Sequence, residues 1–261
     1  EQIYANENVL IRLPGEDGGV QTVSADSLEV VEAGQNTVGR GGLEAKFGGE
    51  VEYVETYADK EDGDSELSRR IVSENLIAGL DRDLIGMHVA TFTGGVSVNT
   101  GSLTGSAEQV VYDVVSDQVD FSGTDDQGRL PLLNDARGSV LASTINVRLN
   151  GPNIQATGSV SSVLSSNLAD SEGRSETKRP QLLSEDTPIY VTSNQFSYNA
   201  ATSEATYTGS SRLWQESTEF RANSLVLDEA SGDVTAAGAV ETQIPLFQNA
   251  EDSGERIEVV A

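Results

Sequence analysis

The sequence contains no cysteine, one histidine and one tryptophan. The lack of cysteine excludes disulfides, thiol catalysis and thiolate metal sites. The single histidine, His88, has no second histidine to complete a metal site or a catalytic set, and its place just before a strand is typical of a structural residue. There is also no HExxH motif and no glycine-rich phosphate loop. We therefore predict a protein that is not an enzyme, with no catalytic residue, no metal and no cofactor.

Positive charge is scarce as well. The chain has 16 Lys and Arg against 42 Asp and Glu, which gives a formal net charge of −26. This balance argues against nucleic acid as a partner and against a basic membrane-binding patch. Acidity of this degree promotes solubility and suits an exported protein or a saline habitat. No apolar run has the length of a membrane span, and the start at Glu1 suggests a mature or trimmed chain whose signal or anchor is missing.

What the chain does contain is a recurring hairpin pattern. In the 17 residues from Ala222 to Gly238, apolar residues stand three and five places after the first residue, and small or apolar residues follow at twelve and fourteen places. A turn-rich DEASGD separates the two runs, and glycine closes the unit sixteen places on. Such alternation around a turn predicts two antiparallel strands with one apolar face.

The same frame occurs five times, with variable loops between the copies. The copies begin at Ala25, Ala107, Ala142, Ser193 and Ala222, and the copy at Ala25 is the weakest because its second strand is small and polar. Two half-copies add Ala45, Phe47, Gly49, Val51 and Ala90, Phe92, Gly94, Val96. Helical signal is scant, so we predict an all-β, antiparallel fold.

The segments between the copies are less regular. Residues 59–68 form a charged loop whose acidic residues do not fit calcium-loop spacing. Residues 69–88 fit either a short helix or irregular strands. Residues 165–187 are polar and contain Pro180, which predicts a long loop or a linker. We expect one elongated domain over residues 1–261 with long loops near 57–75 and 165–187, or a division into 1–164 and 188–261.

The units GSAEQVVYDVVSDQVDFSG and FRANSLVLDEASGDVTAAGAV resemble those of the OstA-like superfamily, which includes the LptA and LptC proteins of lipopolysaccharide transport. The resemblance covers about residues 22–57 and 90–244. It implies an open β-jelly roll whose apolar interior shelters the acyl chains of lipopolysaccharide or a similar glycolipid. It also implies a periplasmic protein that bridges inner- and outer-membrane components and docks with other jelly rolls, or with copies of itself head to tail, through its end strands.

The candidate lipid-binding residues are those at the inward-facing places of the frame: Phe47, Val51, Phe92, Val96, Val110, Tyr112, Val119, Phe121, Ile145, Val147, Ile154, Phe196, Tyr198, Tyr207, Leu225 and Leu227. Ordinary core packing between two sheets is the competing interpretation, and it uses the same face. The candidate docking edges are residues 3–13, with Val9, Ile11 and Leu13, and residues 239–244, with Val240 and Ile244. Residues 257–260 are a further candidate edge.

One other function stays open. Composition alone leaves room for a glycoside-hydrolase pair among Asp81, Asp83, Asp125 and Asp126, but these residues lie in predicted loops and follow no recognisable pattern. An exported carbohydrate-binding or adhesion module is the main alternative, and it calls for aromatic side chains on an exposed flat face. Aromatic residues make up 5% of the chain. Most of them occupy inward-facing places, but Trp214 is predicted on the opposite face from Leu213.

Overall fold

A computed structural model describes residues 3–15, 19–32, 42–58, 66–81, 86–151, 153–165, 183–184, 186–245 and 256–260. These residues form 17 strands and no helix, which confirms the all-β prediction. Within the described part of the chain, therefore, no helix is long and apolar enough to cross a membrane. The chain divides into two compact units, residues 1–133 (unit 1) and residues 134–261 (unit 2). This division comes before the boundary considered at 165–187, most of which lies outside the described residues.

Unit 1 is a meander in which each strand pairs antiparallel with the next. Its strands are β1 (Ile3–Pro14), β2 (Val20–Glu32), β3 (Leu43–Ala58), β4 (Glu66–Leu80), β5 (Met87–Asn99), β6 (Leu103–Asp113) and β7 (Gln118–Ser122). A short strand, β8 (Leu132–Asp135), spans the division between the units.

Unit 2 is built in the same antiparallel way. It contains β9 (Gly138–Leu141), β10 (Thr144–Arg148), β11 (Asn153–Leu164), β12 (Ile189–Asn199), β13 (Glu204–Gln215), β14 (Thr218–Asp228), β15 (Asp233–Ala237), β16 (Glu241–Pro245) and β17 (Arg256–Val260). Strand β11 pairs with β9 and β10 along one edge and with β12 along the other. Strand β14 likewise pairs with β13 on one side and with β15 and then β16 on the other.

The register of the strands confirms the repeat frame in four of the five copies. Val110 pairs with Phe121, Ile145 with Ala156, Phe196 with Tyr207 and Leu225 with Ala236. In the fifth copy, the strand expected after residue 33 lies outside the described residues. There Leu28 and Val30 pair instead with Phe47 and Ala45 of the half-copy in β3.

Each unit contains its own line of β-bulges. The register shifts between Ser24 and Ser27 in β2, between Gly48 and Val51 in β3, and at matching places in the neighbouring long strands. In unit 2 the shifts fall between Thr157 and Val160 in β11 and at the equivalent places in β12 and β13. Bulges bend and twist the strands that carry them.

In unit 1 the bend brings the two halves of the sheet face to face. Tyr53 of β3 pairs with Ile71 of β4, which in turn pairs with Val98 of β5. Tyr112 of β6 pairs instead with Ala90, which lies eight residues from Val98 along β5. If β5 were straight, these eight residues would separate Tyr53 and Tyr112 by roughly 26 Å along the strand direction. The Tyr53 and Tyr112 ring centroids are nevertheless 6.3 Å apart. We call the half that carries Tyr53 half-sheet 1a and the half that carries Tyr112 half-sheet 1b.

Unit 2 folds over itself in the same manner. Leu164 of β11 pairs with Gly138 of β9 on one side and with Ile189 of β12 on the other. Tyr198 lies nine residues beyond Ile189 along β12. The guanidinium of Arg137 is nevertheless 3.8 Å from the Tyr198 ring centroid. We call the half with β9 and Ile189 half-sheet 2a and the half with Tyr198 half-sheet 2b. Each unit thus encloses an interior between the two halves of one bent sheet.

Three expectations need correction. Residues 69–80, which fitted either a helix or irregular strands, belong to the long regular strand β4. Because β3 extends to Ala58 and β4 begins at Glu66, residues 66–75 of the loop expected near 57–75 are strand. The edge expected at residues 239–244 is not an outer strand, because β16 pairs with β14 on one side and with β17 on the other. Val240 precedes β16, and Ile244 pairs with Ile257. The outer strand there is β17, which contains the further candidate 257–260.

Candidate functional site

The interior of unit 1 is lined by apolar side chains from both half-sheets. Val110, Tyr112, Val119 and Phe121 are all buried, whereas Asp113 and Asp120, which alternate with them, and Glu108, which follows the buried Ala107, are half-exposed. This is the arrangement that the repeat frame predicts. The other candidate residues of this unit are buried as well: Phe47, Val51, Phe92 and Val96.

Unit 2 has an equivalent interior. The eight candidate residues of this unit are buried: Ile145, Val147, Ile154, Phe196, Tyr198, Tyr207, Leu225 and Leu227. Burial decreases at β15, where Val234 and Ala236 are only half-buried. The structure therefore gathers all sixteen residues on inward faces, eight in each unit. Contact with lipid stays a prediction, since burial is common to a lipid trough and an ordinary core.

A charged cluster, which the sequence analysis did not find, lies inside unit 1. In half-sheet 1a, Gln21, Glu55 and Arg69 form one inward-facing row across β2, β3 and β4. Arg69 donates to Asp117 Oδ1 at 2.6 Å and Oδ2 at 3.1 Å, and to the Tyr112 hydroxyl at 2.6 Å. The Tyr112 hydroxyl donates to Glu55 at 3.0 Å. Because Tyr112 ends half-sheet 1b and Asp117 follows it in the turn, the cluster joins the two halves.

These charges are largely shielded from water. The side chains of Arg69, Glu55 and Asp117 are 14%, 9% and 11% exposed. A buried guanidinium needs such partners, since leaving one charge unpaired inside a protein is costly. Burial, together with the nearby Glu55 charge, raises the pKa of Tyr112 above its usual range, so its phenol stays protonated and available to donate.

Unit 2 contains a cluster of the same composition. Arg137, which immediately precedes β9 in half-sheet 2a, donates to Asp135 at 2.8 Å and stacks on the Tyr198 ring. The Tyr198 hydroxyl donates to Glu229 at 3.2 Å, in the turn that follows β14. Each cluster thus contains one arginine, one tyrosine and two carboxylates. Tyr112 and Tyr198 occupy the same place in the repeat, five residues after Ala107 and Ser193.

Burial controls the ionisation of the second cluster too. Burial raises the pKa of the Glu229 carboxyl, although Arg137 and the Tyr198 hydroxyl oppose the effect. The pKa of Tyr198 is also raised by burial. Further inside the same unit, the hydroxyls of Tyr207, Ser162 and Ser211 are also buried. These hydroxyls add polarity to an interior that is otherwise apolar.

A signal for the first cluster was present in the sequence. The alternation of Val51 and Tyr53 continues to Glu55, and that of Ile71 continues backwards to Arg69. A charged residue at an inward-facing place breaks the apolar pattern, so alternation alone does not identify Glu55 and Arg69 as interior residues. No local pattern could place Asp117 next to Arg69, since the two are 48 residues apart in sequence.

The other residues considered from the sequence, His88, Trp214 and Asp125, take part in hydrogen bonds or ring packing. His88 lies in β5, and its carbonyl accepts from the Val114 N–H at 3.1 Å. Trp214 lies outward between the buried Leu213 and Gln215, as predicted, stacked on Tyr190 and beneath the Arg212 guanidinium. Asp125 accepts hydrogen bonds from Gln127 and Arg129 that organise its loop. In the described parts of the chain, no group of three or more His, Asp and Glu could hold a metal ion.

Comparison with known proteins found similar chains among the solved structures and none in the other two searches. A scan against family models found no match, and a search of curated proteins found no significant one. Among solved structures, the chain is similar to LptH of Pseudomonas aeruginosa, described as the LptA-homologous periplasmic component of a lipopolysaccharide transport device. The alignment has 13% identity and a TM-score of 0.30, and it covers 74% of this chain and 94% of LptH. At this TM-score the likeness carries no argument about function.

Proposed function

We propose that the protein is a periplasmic lipopolysaccharide-transport component that shelters acyl chains between the halves of its bent sheets. The observation that carries the proposal is the apolar lining of each interior, supplied by the same places of a repeat that resembles the OstA-like units. Transfer of apolar surface from water contributes about 25 cal/mol per Å², so acyl chains could bind there without a charged contact. The sixteen inward-facing residues would then form the lipid-contacting surface.

Site-specific photo-crosslinking tests this role. A crosslinking residue at Phe121, Val147 or Tyr198 should capture lipopolysaccharide while transport runs in cells. The matched control is Glu108, whose side chain lies on the other face of β6. Equal capture at Glu108 and Phe121, or capture at neither, would instead support an ordinary packed core. Mass spectrometry of lipids that co-purify with the protein would identify the glycolipid.

Docking by strand addition belongs to the same proposal. Strand β1 pairs with β2, and Ile3, Tyr4 and Leu10 are 57%, 62% and 58% exposed. Strand β17 is the outer strand at the other end of the sequence. Unpaired edge groups can accept a strand from a second chain. We propose that these two strands join the protein to similar jelly rolls or to further copies of itself.

A carbohydrate-binding role is the second candidate, favoured by the outward stack of Tyr190 on Trp214. The two rings are 5.5 Å apart, and Tyr190 is 38% exposed. Because the chain has a single tryptophan, its intrinsic fluorescence reports on this stack alone. Saturable quenching by polysaccharides, lost in Tyr190→Ala, would support this candidate, and an unchanged spectrum would exclude it at this surface.

A further inference from the structure

The two charged clusters make the same kind of contact, which is not evident from the positions of their residues in the sequence. Each joins opposite halves of one bent sheet: Glu55 and Arg69 of half-sheet 1a meet Tyr112 and Asp117 at the end of 1b. In unit 2 Arg137, at the end of 2a, stacks on the ring of Tyr198 at the end of 2b, and the Tyr198 hydroxyl donates to Glu229 of the same half. Elsewhere in the interior the facing rows are mainly apolar. The clusters are therefore directional contacts between the halves.

Apolar contacts and charged contacts restrain such a pair of halves differently. Two apolar surfaces can slide over each other, and an acyl chain can take the place of an apolar side chain at little cost, because the hydrophobic effect has no preferred direction. Charge-assisted hydrogen bonds are stronger and depend on geometry. If the halves separate, the buried carboxylates and guanidinium lose partners that an acyl chain cannot replace.

We propose that each cluster is a latch that holds the two halves of its unit closed, and that acyl chains enter a unit when its latch opens. We call Glu55, Arg69, Tyr112 and Asp117 latch 1, and Asp135, Arg137, Tyr198 and Glu229 latch 2. The arginine is the central residue of each. In latch 1 it contacts both carboxylates and the phenol, so its loss removes most of the hydrogen bonds by which latch 1 joins the halves. The entry of acyl chains rests on the function proposed above. The closure of the two halves by the latches does not depend on that function.

Neighbouring arginines provide matched controls. Arg70 follows Arg69 in β4 but is 58% exposed and paired with Glu52 on the outer face. In unit 2, Arg221 of β14 is 55% exposed and pairs with Glu219. Replacing either control by methionine removes the same charge without touching a latch. Tyr112→Phe provides a milder test, since it removes only the phenol oxygen and keeps the ring that packs against Tyr53.

The separation of the halves can be measured directly because the chain has no cysteine that would compete for labels. Spin labels at Ser68→Cys in half-sheet 1a and Ser116→Cys in the turn beyond half-sheet 1b flank latch 1 on exposed positions. Ser139→Cys, at a half-exposed position, and Ala230→Cys, at an exposed one, flank latch 2. Pulsed electron paramagnetic resonance then gives the distance distribution across each latch.

In Arg69→Met and Tyr112→Phe the distances across latch 1 should lengthen and broaden, while those in Arg70→Met stay as in the parent protein. Uptake of a fluorescent fatty acid should rise by about tenfold or more in Arg69→Met, because the loss of even one hydrogen bond to a charged group corresponds to a factor of about ten. Arg137→Met should act likewise on unit 2, and Arg221→Met should not. Unchanged distances in folded Arg69→Met and Tyr112→Phe would overturn the latch. Longer distances without fatty-acid uptake would keep the latch and count against lipid binding.

Discussion

At the scale of single residues, the glycine that closes each repeat explains why the frame recurs. A Cβ at Gly209 or Gly158 would lie 2.8 Å or 2.6 Å from the side chain of Asn194 or Ser143, the second residue of the same copy. Both glycines also have a positive φ, near 80°. The chain therefore needs glycine at this place for two reasons, backbone conformation and close contact across the pair of strands.

Two adjacent glycines in β5 allow these reasons to be separated. Gly94 and Gly95 both have a positive φ, of 85° and 59°. A Cβ at Gly94 would lie 2.7 Å from Glu74 Cβ, whereas a Cβ at Gly95 meets nothing within 4 Å. We expect Gly95→Ala to reduce the free energy of unfolding by about 1 kcal/mol, the cost of an unfavourable φ alone, and Gly94→Ala to cost about 2 kcal/mol more because of the clash.

Urea unfolding followed by circular dichroism measures both variants. The double variant Gly94→Ala with Glu74→Ala is the control, because it removes the Cγ and carboxylate of Glu74 that Gly94 approaches. It should recover part of the loss. Equal destabilisation by Gly94→Ala and Gly95→Ala would mean that backbone strain, and not the contact with Glu74, requires glycine in the repeat.

At the scale of elements, the turn between β14 and β15 holds two adjacent carboxyls with opposite pKa shifts. Asp228 accepts from the N–H groups of Ser231 and Ala230, and these bonds lower its pKa below 3.8. The neighbouring Glu229 is turned towards latch 2, and burial raises its pKa above 4.5. The turn thus combines a carboxylate that stabilises the fold when ionised with a carboxyl that stabilises it when protonated.

The two carboxyls should give opposite dependences of stability on pH. Since folding raises the pKa of Glu229, its contribution is fully present below 4.5 and is lost as the pH rises through the folded-state pKa. For Asp228 the contribution is present above 3.8 and is lost as the pH falls through the lowered pKa. We therefore expect Glu229→Gln to stabilise the protein at pH 7 and Asp228→Asn to destabilise it.

Thermal unfolding between pH 4 and pH 8 distinguishes the two effects. The gain from Glu229→Gln should grow with pH, because glutamine keeps an acceptor for the Tyr198 hydroxyl without a charge to bury. The loss from Asp228→Asn should change little above pH 4 and shrink as the pH falls below 3.8, which further scans down to pH 3 measure. A Glu229→Gln variant that is less stable than the parent at pH 7 would show that pairing with Arg137 outweighs burial of the carboxylate.

The elements also show how far the sequence predicts this fold. Period-two alternation identified β6, β7 and β10 to β15, because each carries one apolar face that must be buried. Strand β4 was not assigned, since Arg69, Arg70 and Glu74 interrupt the alternation and Asn75 to Leu80 also fits a helix. Only pairing with β3 and β5 makes that segment a strand, and such long-range contacts leave no local signal. The sequence does not predict the latches for the same reason, because their residues meet through long-range contacts.

At the scale of the whole molecule, the edge strands decide which surfaces remain for assembly. The alternation of Thr242 and Ile244 suggested an edge, but no local pattern shows that a later segment covers it, as β17 does. Strand β1 was predicted correctly as a strand, from residue 3 to the proline at its end. It is interrupted by a register shift between Asn6 and Val9, where Glu7 and Asn8 have positive φ.

The part of β1 after that shift is the segment best suited to receive a strand. Val9, Ile11 and Leu13 continue the inward face, while Leu10 and Arg12 are exposed on the outer face. Natural edges that avoid pairing often carry an inward-pointing charge, and this segment has none at those three places. If association occurs by strand addition at β1, the incoming strand must extend the inward face and pack beside Ile11.

We therefore expect Ile11→Lys to weaken concentration-dependent association, or docking to a jelly-roll partner, by about tenfold or more, because an unpaired ammonium would be buried beside the added strand. Leu10→Lys is the matched control: it places the same charge on the same strand but on the outer face, and it should leave association nearly unchanged. Sedimentation equilibrium measures both, with circular dichroism to verify folding. Equal losses in the two variants would locate the contact on the outer face. A parent protein that stays monomeric at high concentration, and binds no jelly-roll partner, would remove β1 as a docking edge.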